Sequence, residues 1–199
     1  MHNCIFTPHC TELECDRSCP ILAETAYLLE RNEISQRSLV FTTKFSFDQA
    51  ESLLEKSSGK LAVGTCRDSS AEVAEFVTYA AICQNWKGSR LHCTVYNLKF
   101  SKYLEELKKS WTTNVSEALE YMQIWSSSAK VLIISNLDYV NWGDFESQTL
   151  LNLLQDRAKP DKSTVVICPA VNRLVSSKQG PFFSALKSKL NDAPKEVFS

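Results

Sequence analysis

Residues 130–135 read KVLIIS: four apolar residues, three of them β-branched, closed on both sides by polar ones. A short continuous apolar run of this kind fits a strand buried on both faces, as in a parallel sheet covered by helices. Three more candidate strands lie around it: KLAVG (60–64), LHCTVY (91–96) and STVVIC (163–168). Between and after them the periodicity predicts helices over 71–85, about 99–111, 115–127, 144–157 and about 180–192. Strands alternating with helices predict an α/β fold, an αβα sandwich on a mainly parallel sheet.

Upstream of KLAVG, a helix over about 47–56 is ended by Ser57-Ser58-Gly59. A polar connector precedes it. Residues 21–31 place Ile21, Leu22, Tyr27, Leu28 and Leu29 at helical spacing behind Pro20, which suits a first helical position. The chain therefore divides into a cysteine-rich head with its helix (1–34), a linker and helix (35–58), and an α/β domain (59–199). Apolar residues make up 44% of the 199, enough for a real core, and the formal charge is only −1. A near-neutral chain cannot hold nucleic acid through bulk electrostatics, so any DNA contact needs a local basic patch. No run of 18 apolar residues and no signal peptide is present, so a soluble cytoplasmic protein is expected.

Four of the eight cysteines crowd the start: Cys4, Cys10, Cys15 and Cys19, with His9 beside the second. In a reducing compartment such a cluster points to metal rather than to cross-links. Four thiolates satisfy tetrahedral zinc, and His9 is an alternate for Cys10. An iron–sulfur cluster also takes four thiolates, and Cys19-Pro20 is compatible with one. Cys66, Cys83, Cys93 and Cys168 lie in apolar or helical stretches, where free cysteine acts as a small hydrophobe. His92 and the four tryptophans Trp86, Trp111, Trp125 and Trp142 read as structural.

The run CDRSCPILAETAYLLERNEISQR (15–37), and the block VLIISNLDYVNWGDFESQTLLNLLQDR (131–157), resemble the DnaC/DnaI-like helicase loaders of phages and mobile elements of Gram-positive bacteria. The resemblance covers nearly the whole chain and implies an AAA+ (RecA-like) fold, here lacking most of a C-terminal lid. It also implies an ATPase site, and this chain departs from it at every part. A phosphate-binding loop G-x-x-x-x-G-K-[ST] wraps backbone amides around phosphates, with lysine and a hydroxyl completing the cradle. The matching segment is Gly64-Thr65-Cys66-Arg67-Asp68-Ser69-Ser70-Ala71. Only its first glycine matches; Ser69, Ser70 and Ala71 replace the second glycine, the lysine and the hydroxyl residue. Asp68 adds a negative charge.

After the strand at 130–135, Ser135 and Asn136 stand where the family has two acidic residues for magnesium and water. Asp138 is expected to point away from the strand tip. The family's sensor position falls on Pro169 or Ala170. Its arginine finger is Lys189, which keeps charge without the planar fork. The resemblance assigns single-stranded DNA contact to the ring's inner surface, and Lys102, Lys108 and Lys109 are the nominees here.

Together these readings predict a pseudo-ATPase that binds no ATP, with zinc or an iron–sulfur cluster in its head. Its expected role is a DNA replication accessory, a helicase-loader-like adaptor binding a replicative helicase or an active loader in a hetero-oligomer. Alternatives are an inhibitor of a host helicase loader, or an unconventional ATP-dependent loader using Arg67 and Asp138. A metal-dependent DNA-binding regulator would need a basic recognition helix, and none is seen.

Overall fold

The structure is a computed structural model and describes residues 20–34, 45–67, 70–87, 94–174 and 180–198. Seven helices and five strands follow in chain order among these residues. Helices α1 (Pro20–Arg31) and α2 (Phe47–Lys56) precede β1 (Leu61–Cys66) and α3 (Ser70–Lys87). Then come β2 (Val95–Lys99), α4 (Phe100–Lys109), α5 (Glu117–Ser128) and β3 (Val131–Ser135). Helix α6 (Asp144–Asp156), β4 (Ser163–Pro169), α7 (Pro181–Asp192) and β5 (Lys195–Phe198) complete the order.

The five strands form one parallel sheet in the order β2-β3-β4-β1-β5. Its three central strands are the apolar runs expected from composition, buried on both faces. One face carries α1, α2 and α3 around Leu53, Val73, Val77, Ile82, Ile133 and Ile167. The other carries α4 to α7 around Phe100, Leu132, Ile134, Trp142, Leu150, Val166 and Leu186. Helix α3 leaves β1 on one face while α4 to α7 return on the other. Connections to opposite faces open a crevice at the carboxyl ends of β1 and β4, the usual place for a ligand in an open α/β sheet.

The structure departs from the sequence reading in three places. Strand β1 runs to Cys66, two residues beyond KLAVG. Residues 91–93 of the expected second strand lie outside the described residues; the strand runs to Lys99, three residues beyond the expected end at 96, because Asn97 is a good strand residue here despite its propensity. Its backbone N–H donates to Asn32 Oδ1 at 2.7 Å and its own Oδ1 accepts from Ser135 Oγ at 2.8 Å, so nothing polar is stranded. Strand β5 carries too little apolar signal to be read in advance: Lys195 and Val197 face out and only Phe198 is buried.

Helices α1 and α2 are layers of the same core. Leu28, Leu29 and Ile34 pack in the cluster that holds α3, and Leu53 and Leu54 join them. The end of α1 is fixed by Asn32, which donates to Leu28 O at 2.7 Å and Val95 O at 3.3 Å while accepting from Asn97. One carboxamide thus does for the outer edge of β2 what a neighbouring strand would do. On the far edge, Gln49 and Lys56 of α2 donate to Val197 O (3.0 Å) and Lys195 O (3.1 Å) of β5.

Candidate functional site at the carboxyl ends of the strands

Gly64 lies inside β1, opposite Ile167 of β4 and Glu196 of β5, not in a loop. A Cβ there would come within 2.5 Å of Ile167 Cδ1 and 2.9 Å of Leu53 Cδ2. This glycine makes room for packing, and its φ is not in the left-handed region. Thr65 and Cys66 are likewise in the strand, opposite Cys168 and Pro169. Ser70 and Ala71 are the first two residues of α3. Of the eight positions matched to the phosphate loop, five lie in described strand or helix. Asp68 and Ser69 lie outside the described residues; Arg67 is exposed.

Ser70 is buried, and its hydroxyl donates to Asp138 Oδ1 at 2.9 Å. That corrects the expectation for Asp138, which faces the start of α3 instead of pointing away. The cause is Asn136, whose left-handed backbone (φ 61, ψ 35) reverses the chain as it leaves β3. Asparagine is among the few non-glycine residues that adopt this region readily. A 3-10 turn, Leu137–Tyr139, then carries Asp138 across. Leu137 is fully buried and its carbonyl accepts from Trp142 Nε1 at 3.2 Å, which anchors the turn.

Ser135 does not join this pair. Its hydroxyl is spent on Asn97, inside the sheet. The two positions matched to the family's acidic residues therefore serve the fold: one ties β3 to β2, the other makes the turn. Arg173, in a 3-10 turn after β4, donates from Nη1 to Arg67 O at 3.4 Å and brings a second cation to this end. Cys168 is buried beneath it; burial, then Cys66 and Asp138, push its thiol up to about 12, so it stays neutral and inert. Cys66 belongs to the opposite face of the sheet.

Lys189 sits in the last turn of α7 beside Gly59, Leu61, Arg157 and Thr164. Those residues mark the amino ends of β1 and β4, so Lys189 is at the far end of the sheet from Ser70 and Asp138. The three lysines nominated for DNA are all paired. Lys102 meets Glu33 at 2.9 Å, with Lys99 on the same carboxylate; Lys108 meets Glu146 at 2.6 Å and Lys109 meets Glu106 at 2.7 Å. Glu33 is held below the usual carboxylate range by its bonds to Lys99 and Lys102, and Glu106 by Lys109 and Ser116. Lys109 is pushed up by Glu106. For Glu146, burial pushes upward but Lys108 and backbone hydrogen bonds leave it below the ordinary value.

Cys4, Cys10, Cys15, Cys19 and His9 lie outside the described residues, as do His92 and Cys93. Among the described residues no group of three or more histidine, cysteine or carboxylate side chains is placed to hold a metal. No described helix is long and apolar enough to cross a membrane. Two residues that carry much of the architecture, Asn32 and Arg157, leave no sequence signal beyond polarity inside otherwise apolar surroundings.

Solved structures share this architecture. The replication initiator DnaA bound to AMPPCP and single-stranded DNA matches with a TM-score of 0.55 at 8% identity, over 76% of this chain and 44% of that one. The DnaC helicase loader matches with a TM-score of 0.50 at 12% identity, over 82% of this chain and 86% of that one. The chain thus spans less than half the length of the DnaA structure. No family model matches the sequence, and no curated protein does. At these identities the likeness is one of fold.

Proposed function

We propose that this protein is a DNA replication accessory of the helicase-loader type that works as an adaptor without an ATP cycle. The observation that carries it is where the positions matched to the phosphate loop fall. Gly64, Thr65 and Cys66 are strand and Ser70 and Ala71 are helix. Ser70, which stands where the family has its phosphate-binding lysine, is buried and its hydroxyl is spent on Asp138. The role in replication is supported by the fold shared with a helicase loader and a replication initiator and by the resemblance of residues 15–37 and 131–157 to loaders. In this reading a replicative helicase or an active loader is the partner, the degenerate core is an assembly surface, and Cys4, Cys10, Cys15 and Cys19 bind zinc to form a docking head.

Copurification with the cognate helicase and loader, with elemental analysis of the purified chain, tests the proposal. Binding to either partner with one zinc per chain is the expected result. Binding to neither rejects the adaptor, and a chain without zinc or iron rejects the metal head. DNA contact through Lys102, Lys108 and Lys109 is not favoured, because each cation already pairs with a carboxylate.

One observation favours a second reading. Ser70 and Asp138 bring a hydroxyl and a carboxylate together beside Arg67 at the end of the sheet. An unconventional ATPase would need such a pair for magnesium. Phosphate release that is stimulated by single-stranded DNA and abolished by Arg67→Ala would establish it in place of the adaptor.

A further inference from the structure

Lys189 lies half-buried at the amino ends of the strands, beside a cavity of about 340 Å³. Lys60 and Lys159 line the same cavity, and no aspartate or glutamate does. Among the described residues none of these three lysines has an ion-pair or side-chain hydrogen-bond partner. Lys56, Lys99, Lys102, Lys108 and Lys109 all face carboxylates. We infer that this cavity is a docking site for an acidic peptide segment of a partner protein. One apolar side chain of the segment seats on Leu61, Leu154 and Pro160, and its flanking carboxylates meet the three ammonium groups. The inference rests on the adaptor reading for its partner and gives the core of such an adaptor a place of contact.

Two loops frame the cavity, and both are held. Gly59 is left-handed (φ 67), and a Cβ there would come within 2.7 Å of Pro160 O, so the α2–β1 loop lies against the α6–β4 loop only with glycine. Lys60 N donates to Ser57 O at 3.0 Å, and its carbonyl accepts from Thr164 N at 3.1 Å. Lys159 N donates to Arg157 O at 2.7 Å, and its carbonyl accepts from Lys162 N at 3.0 Å. Arg157 also lines the cavity, but its hydrogen bonds are made within the protein, so it adds charge without offering a donor. Burial, then Arg157 and Lys159, push the Lys162 ammonium down, so the cations here act on one another. Of the acids on this loop, Asp161 acts on Arg157 and Lys162, and Asp156 lines the neighbouring groove. Leucine and proline surfaces beneath a lysine rim suit an apolar anchor set between carboxylates. No aromatic side chain lines the cavity, so the bases of a nucleic acid strand find no stacking surface. A lone phosphate would leave the apolar floor uncovered, and the volume falls in the range of ligand-holding cavities, roughly 300–1,000 Å³.

The test uses the full chain and a fluorescein-labelled octapeptide of alternating glutamate and leucine, read by fluorescence anisotropy. Wild type is expected to bind it, and more weakly as salt rises. The triple variant Lys60→Ala, Lys159→Ala, Lys189→Ala is expected to bind at least about tenfold more weakly. Wild type should show a similar loss toward peptides with glutamine for glutamate or serine for leucine. Lys102→Ala with Lys109→Ala, at lysines already paired, should bind as wild type does. Should the triple variant fail to fold, Lys60→Ala with Lys159→Ala, both exposed, serves the same purpose. Wild type that ignores the peptide, or a triple variant that binds it equally, overturns the inference. A labelled oligothymidylate that wild type holds more tightly than the peptide, and that the triple variant releases, also overturns it, since the ligand is then a nucleic acid. Each of these failures leaves the adaptor standing, because copurification decides that reading. A chain that binds the peptide yet copurifies with neither helicase nor loader keeps the site and loses the adaptor.

Discussion

Arg157 is the most heavily committed side chain of the described structure. It is 2% exposed and donates to the carbonyls of Ser126, Ala129, Lys130 and Ser163 and to Thr164 Oγ1, at 2.9 to 3.4 Å. Burial lowers its guanidinium to about 10, still charged at neutral pH, with Asp161 offsetting part of the shift. It draws together the segments that lead into β3 and β4. Arg157→Met is expected to cost about 3–4 kcal/mol by leaving several acceptors unpaired, read as a lower midpoint in urea. Arg157→Lys should recover only a minor part, since an ammonium cannot fan out to five acceptors. Gly64→Ala makes a sharper test of what that glycine is for. Its Cβ would crowd Ile167 and Leu53, so a loss of roughly 1–3 kcal/mol in stability is expected. An unchanged midpoint would show that β1 has slack at this point and would reopen a loop role for Gly64.

At the scale of elements, β5 is held to α2 by charge as well as by backbone. Lys56 Nζ is 2.5 Å from Glu196 Oε2, and Ser52 donates to the same oxygen at 2.9 Å. The bond to Lys56 holds the Glu196 carboxyl below its ordinary value. Glu33, Glu106 and Glu146 are lowered in the same sense. A carboxyl lowered on folding contributes stability that is fully present above its unfolded pKa and is lost as pH falls through the folded one. Melting temperature should therefore be flat near neutrality and fall below the usual carboxylate range, with Glu196→Gln shallower across that acid limb. Equal slopes for the two would place the acid sensitivity elsewhere. Removing residues 195–199 should be far more severe. It opens the edge of β1 and takes Phe198 from the core, so the truncated chain is expected to aggregate in size-exclusion chromatography.

The same elements explain what could be read in advance. Strands with continuous apolar runs, such as VLIIS and TVVIC, announce themselves because burial on two faces leaves no other composition. Strand β5 does not: at an edge, two of its four side chains face water, and its pairing is decided by β1. The carboxyl end of strand β2 is hidden by Asn97, whose suitability depends on Asn32 and Ser135, far away in sequence. The phosphate-loop positions were legible as substitutions, but the placing of Gly64, Thr65 and Cys66 in a strand and of Ser70 and Ala71 in a helix was not. The role of Asp138 depended on one left-handed residue, Asn136, which composition marks only as permitted.

For the molecule as a whole, the proposed absence of an ATP cycle predicts no response to nucleotide. Magnesium ATP at millimolar concentration is expected to leave the melting temperature unchanged, whereas a bound partner should raise it with the logarithm of its concentration over Kd. A nucleotide-dependent rise of several degrees would contradict the reading outright.

The rims of the sheet carry a different consequence. A parallel sheet with bare margins invites other chains to extend it, and here both margins are closed by amide and ammonium groups from the chain's own helices: Asn32 on one side, Gln49 and Lys56 on the other. Recruitment of other macromolecules must then proceed through helical faces and loops. A copy waiting alone is thereby shielded from the ribbon-like self-association that open margins would promote.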